Sequence, residues 1–151
     1  MSYSTVRDIL TYSQNVHQHA STLYEQLREE TQRERVDMML KLLALHEQGL
    51  ASAIAGFRED SRSRILEEWH QFEPADIGDL LSECRAIHPD ISVDELVMIA
   101  LKVDEFLIRV YQQLAADASS AEARELFENL AALEESEKIR TVRAALSAGD
   151  W

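Results

Sequence analysis

Leu43-Ala44-Leu45-His46-Glu47 and Leu130-Ala131-Ala132-Leu133-Glu134 are the two stretches that decide the fold. In each, a leucine and a glutamate stand four residues apart, so a helix carries the acid on its own apolar face. Working outward from Glu47, apolar residues recur at spacings of three and four: Val36, Leu40, Leu43, Glu47, Leu50, Ile54 and Phe57. Around Glu134 the run is Ala123, Phe127, Leu130, Glu134, Glu137, Thr141 and Ala144. Each run is preceded by another of the same kind. The first is Val6, Leu10, Ser13, His17, Ala20, Tyr24 and Leu27, and the other is Val93, Val97, Ala100, Asp104, Leu107, Tyr111 and Leu114. Stripes of this period are what helices bury in a bundle. A single offset of 87 residues lays the first stripe on the third and the second on the fourth, with no gap. His17 falls on Asp104, Tyr24 on Tyr111 and Glu47 on Glu134, so one αα-hairpin is written twice.

Thr31-Gln-Arg-Glu34, Ser92-Val-Asp-Glu95 and Ser119-Ser-Ala-Glu122 read as capping boxes that start helices two, three and four, and Thr5-Val-Arg-Asp8 as a weaker start of helix one. Between the repeats the character changes. Residues 58–91 hold both prolines, Pro74 and Pro89, a charged stretch and a short helix expected over Ile77–Ala86. Some thirty residues is too long for a tight turn and long enough to run the length of a bundle. The expected fold is therefore all-α: a ferritin-like four-helix bundle of two hairpins, residues 4–57 and 92–148, joined by one long crossover within a single domain spanning 1–151.

The composition agrees with helices. Four glycines and two prolines leave little turn chemistry for a β fold. The formal net charge of −13 repels phosphate backbones and anionic lipid, so neither nucleic acid nor a membrane surface is an expected partner. No apolar run reaches the length of a membrane span and no secretory h-region opens the sequence, so a soluble, cytoplasmic protein is expected. The lone Cys84 can close no internal disulfide and reads as a half-buried thiol.

Against this background, five ionisable residues stand at seam positions: His17, Glu47, Asp104, Glu134 and Glu137. Taken singly, each has an ordinary explanation. A histidine in an apolar stripe is most often a satisfied core residue, and Glu134-Glu135-Ser136-Glu137 reads equally well as a solvated face, with Lys138 one turn from Glu134. Taken together, they recur at matched positions in all four helices and converge on the bundle axis. Carboxylates gathered in a low-dielectric core need a metal ion, protons or a rotation to the surface.

At this point the sequence resembles the rubrerythrin-type branch of the ferritin-like di-iron carboxylate proteins. Leu43–Glu47 and Leu130–Glu134 are similar to the family's Leu-Ala-x-x-Glu-x-x-His run, and Ala100-Leu-Lys-Val-Asp104 followed by Tyr111 to its third-helix Ala-x-x-x-Glu…Tyr run. In the family a glutamate from each odd helix and a Glu-x-x-His from each even helix hold two metal ions. Here His17 stands where the first-helix glutamate is expected, Asp104 replaces the third-helix glutamate, Leu50 replaces a histidine and Glu137 replaces the other. His46 is read as pointing to a different side of its helix, so it does not substitute for Leu50.

The resemblance thus implies an altered site. Asp104, Glu134 and Glu137, with Glu47 reaching across, offer an all-oxygen shell suited to one iron or manganese ion. The half left with His17 and the shared Glu47 is too poor to hold a second ion tightly. Without a C-x-x-C pair, the iron–sulfur domain of full rubrerythrins is missing. The expected function is a ferritin-like protein binding one metal ion or none. The alternatives are an active iron or manganese oxidase, peroxidase or ferroxidase, and a metal-free helical scaffold that uses Trp69, Phe72 and Trp151 as a contact surface. Pairing of such bundles is common in the resembled family and implies a possible homodimer.

Overall fold

The computed structural model describes residues 2–72, 88 and 90–149. Four long helices form the bundle: α1 (Val6–Glu30), α2 (Glu34–Asp60) and, with a short α3 (Ser63–Leu66) between the pairs, α4 (Val93–Asp117) and α5 (Ala121–Gly149). At 25 residues α1 and α4 are each about 38 Å long. α1 packs along α2 and α4 along α5 as two tight hairpins, and α2 touches both helices of the second hairpin. The core is made of the seams read from the sequence, from Leu10, Tyr24, Leu40 and Ile54 through Leu107, Tyr111, Phe127 and Leu130. Phe57, Val93 and Ala144, at the ends of their stripes, are only half-buried. No helix among the described residues is long and apolar enough to cross a membrane.

The helix starts follow hydroxyl capping with two corrections. Thr5 accepts from the Asp8 amide at 3.2 Å, and Ser92 accepts from the Glu95 amide at 3.1 Å while donating to the Glu95 side chain. Thr31, however, ends α1 and starts nothing. Its amide bonds to the Leu27 carbonyl, and α2 begins behind Arg33 with no side-chain cap. The Thr31 hydroxyl accepts from the Arg33 amide in the link at 3.3 Å, so it caps nothing on α2. On α5 the capping hydroxyl is Ser120, one residue later than expected. It accepts from the Ala123 amide at 3.1 Å, while the hydroxyls of Ser119 and Ser120 both donate to Glu68.

The crossover opens with a feature absent from the sequence reading. Tyr3–Thr5 (β1) and Trp69–Gln71 (β2) pair antiparallel, Tyr3 opposite Gln71 and Thr5 opposite Trp69. The Val6 amide bonds to the Glu68 carbonyl, the Phe72 amide to the Ser2 carbonyl, and Arg7 grips Glu67 at 3.0 Å, so the chain leaving α2 is clamped to the start of α1. Phe72 is buried with its ring edge-on to Tyr12 at 5.5 Å, whereas Trp69 stays exposed. The helix expected over Ile77–Ala86, together with Cys84 and Trp151, lies outside the described residues.

Candidate metal centre

All four seams meet midway along the bundle. α1 contributes His17, α2 Glu47, α4 Asp104 and α5 Glu134, each of them buried. The histidine is at the centre. Its Nδ1 contacts Glu47 Oε2, and its Nε2 lies 2.5 Å from Glu134 Oε1. A carboxylate only accepts, so a ring that bonds two of them donates from both nitrogens and is an imidazolium. The electrostatics agree. Burial pulls His17 toward the neutral form, but the charges of Glu47 and Glu134 outweigh it and hold its pKa well above 6.5. One side chain thereby links α1 to its hairpin partner and to the second hairpin.

Asp104 stands 87 residues after His17, and its state is the opposite one. Burial first, then the charges of Glu47 and Glu134, push its pKa up to about 9, so near neutral pH it is a protonated acid. Glu134 is also raised, chiefly by burial, with His17 working against the shift. Tyr111, fully buried against Ser13, is held well above 10 by burial and by the nearby Glu134. Its hydroxyl makes no hydrogen bond of good geometry, and Glu134 Oε2 is likewise unpartnered.

Glu137 is not part of this knot. One turn beyond Glu134, it faces α2, where its Oε2 lies 3.5 Å from His46 Nδ1 and its Oε1 3.2 Å from Arg140. This corrects the reading of His46. It precedes Leu50 by one helical turn and so lies on nearly the same side of α2, toward α5. Lys138 reaches Glu105 on α4 at 3.4 Å and not Glu134. Sequence reasoning missed the His46–Glu137 contact, although the spacing of four between His46 and Leu50 was the available signal.

A pair of metal ions, as the fold family implies, does not fit these residues. Leu50 offers no donor, and both nitrogens of His17 are already committed to carboxylates. For one ion, Glu134 Oε2 is an oxygen without a hydrogen bond, and Glu137 Oε2 has only the ion-pair contact with His46 at 3.5 Å. Among the described residues, however, no three His, Cys, Asp or Glu side chains stand so that they could hold an ion together.

No family model matches the chain, and no curated protein matches it. Among solved structures it is similar to a protein of Thermotoga maritima provisionally described as a ferritin-like diiron-carboxylate protein, at 2.30 Å resolution. The TM-score is 0.62 at 17% identity, covering 96% of this chain and 97% of that one. At that identity the likeness speaks for the backbone alone, and the chain has the ferritin-like four-helix fold.

Proposed function

We propose that this is a ferritin-like protein of rubrerythrin-type descent whose buried centre is held together by a protonated histidine and takes one iron or manganese ion at most. The observation that carries the reading is the position of His17, a cation with two donors set between Glu47 and Glu134. Such a ring supplies the positive charge that a metal would otherwise bring, at the helix position from which the resembled family offers a carboxylate. Asp104, protonated beside it, removes a second negative charge. Two-metal oxygen chemistry needs two ions and an open position between them, and this donor set provides neither. Asp104, Glu134 and Glu137, with Glu47 reaching across, would hold a single ion only after Glu137 turned away from His46 and His17 released Glu134, since no such trio stands ready among the described residues. The protein then acts as a binding module and not as an oxidase.

The test is elemental analysis of protein expressed with iron and manganese supplied and purified without chelator, beside Glu134→Ala. No more than one ion per chain is expected in the wild type. Any metal present should bind at least about tenfold more weakly in the variant, since a carboxylate ligand is lost. Two ions per chain, or peroxide turnover that depends on added iron, would overturn the proposal.

A further inference from the structure

We infer that His46 and Glu137, facing each other between α2 and α5, form a binding site for a zinc-like divalent cation, apart from the buried centre. His46 Nδ1 lies 3.5 Å from Glu137 Oε2, and each atom is closed to solvent without a hydrogen bond. A histidine that bonds to a carboxylate comes closer. Charge-assisted N–H···O bonds are about 2.7–2.9 Å long, and His17 makes contacts at least that close to two carboxylates of this same chain. The separation at His46 is instead that of two donors sharing an ion. Zinc takes nitrogen and oxygen at about 2.0–2.2 Å with tetrahedral angles, which sets two of its ligands about 3.3–3.5 Å apart.

The surroundings hold this arrangement. Arg140 lies 3.2 Å from the other oxygen of Glu137, Oε1, and so keeps Oε2 turned toward α2. Lys138, the next residue, reaches Glu105 on α4 at 3.4 Å and does not compete for Oε2. The side chains of His46 and Glu137 are 16% and 14% exposed, which leaves the remaining ligand positions to water. Water has to fill them, since among the described residues no third His, Cys, Asp or Glu joins the pair. Nothing in the helix packing asks for polar residues here: at the 87-residue offset Leu133 stands for His46 and Leu50 for Glu137. The net charge of −13 draws cations to the chain.

The donor types select the ion. An imidazole and a carboxylate completed by water suit zinc and its neighbours in the first transition row better than magnesium or calcium. With half the protein ligands of a structural zinc site, a dissociation constant on the order of 10 μM is expected. Neither Asp104 nor Glu134 takes part. Glu137 serves one place at a time, so an ion held here leaves the buried centre a carboxylate short.

Isothermal titration calorimetry tests this, with zinc chloride added at neutral pH to the full chain after chelator treatment and dialysis. One zinc ion per chain is expected. His46→Gln and Glu137→Gln should each weaken binding at least about tenfold, while His19→Gln, at an exposed histidine of α1, leaves it unchanged. Far-UV circular dichroism confirms that each variant stays helical. In the wild-type chain the ring nitrogen resonances of His46 should shift as zinc is added, which reads the site without any substitution. Zinc that still binds in both His46→Gln and Glu137→Gln, or no binding up to about 1 mM, overturns the inference. So does zinc that is lost in Glu134→Ala but kept in His46→Gln, because the ion then belongs to the buried centre.

Discussion

Replacing His17 with leucine is expected to destabilise the protein by about 3 to 5 kcal/mol, the cost of leaving buried carboxylates without their cation. Leucine fits an apolar seam as well as histidine does, so the loss is not one of packing. It arises because Glu47 and Glu134 lose the ring that bonds to both of them. Urea unfolding followed by circular dichroism measures it, through a shift of midpoint at constant slope. The triple variant His17→Leu, Glu47→Met, Glu134→Met should recover most of the loss, because replacing a whole buried ionic cluster by apolar residues is often neutral or stabilising. A single variant within 1 kcal/mol of wild type would mean that water or a proton already neutralises the carboxylates.

Raising the pH should weaken the fold, in the opposite sense to acid denaturation, and Asp104→Asn should abolish much of that weakening. Asp104 is an acid with a raised folded pKa, about 9 against 3.8 for its ordinary value. Between those values the folded chain keeps a proton that the unfolded chain has released. Stability therefore falls as pH rises, by up to about 1.4 kcal/mol per unit for one proton, and levels off above about 9. His17 acts in the same direction. Its folded pKa is raised above 6.5, so its contribution is fully present below 6.5 and is lost as pH climbs through the folded value. Asparagine mimics the protonated acid and cannot ionise. The variant should be close to wild type at pH 4 and more stable than it at pH 8 by up to about 6 kcal/mol, four pH units at about 1.4 kcal/mol each. Urea midpoints measured from pH 4 to pH 9 in chelator give the comparison. Parallel pH profiles for the two proteins would show that Asp104 is ionised in the fold.

Where the sequence was legible, burial had written it. His17, Glu47, Asp104 and Glu134 could be placed in one core because each takes a leucine's position in a stripe whose other members must be inside, and the 87-residue offset fixed which positions correspond. The long crossover was read from length alone, some thirty residues between the hairpins being more than a tight turn needs and enough to run the length of a bundle. What was not legible depends on partners far along the chain. Three-residue strands such as Tyr3–Thr5 have no period to detect, and their pairing exists only because α1 and the exit of α2 meet at one end of the bundle. Thr31 has the composition of a cap, but its hydroxyl accepts from the Arg33 amide in the link and α2 starts two residues later. His46 was misplaced because its neighbour Glu47 owns the seam, and a residue just off the seam finds its partner, Glu137, only once α2 and α5 are side by side. That His17 bonds to two acids at once was likewise beyond a single-helix reading.

The complete burial of His17 also has a bearing on time. With the ring at 0% exposure and carboxylates on both sides, no ion or solvent molecule reaches it unless the helices part. Exchange of protons or cations with the centre is then limited by transient opening of the bundle and not by diffusion from outside. The stability of the helix packing around His17, and not access from the surface, therefore sets the pace of any such exchange.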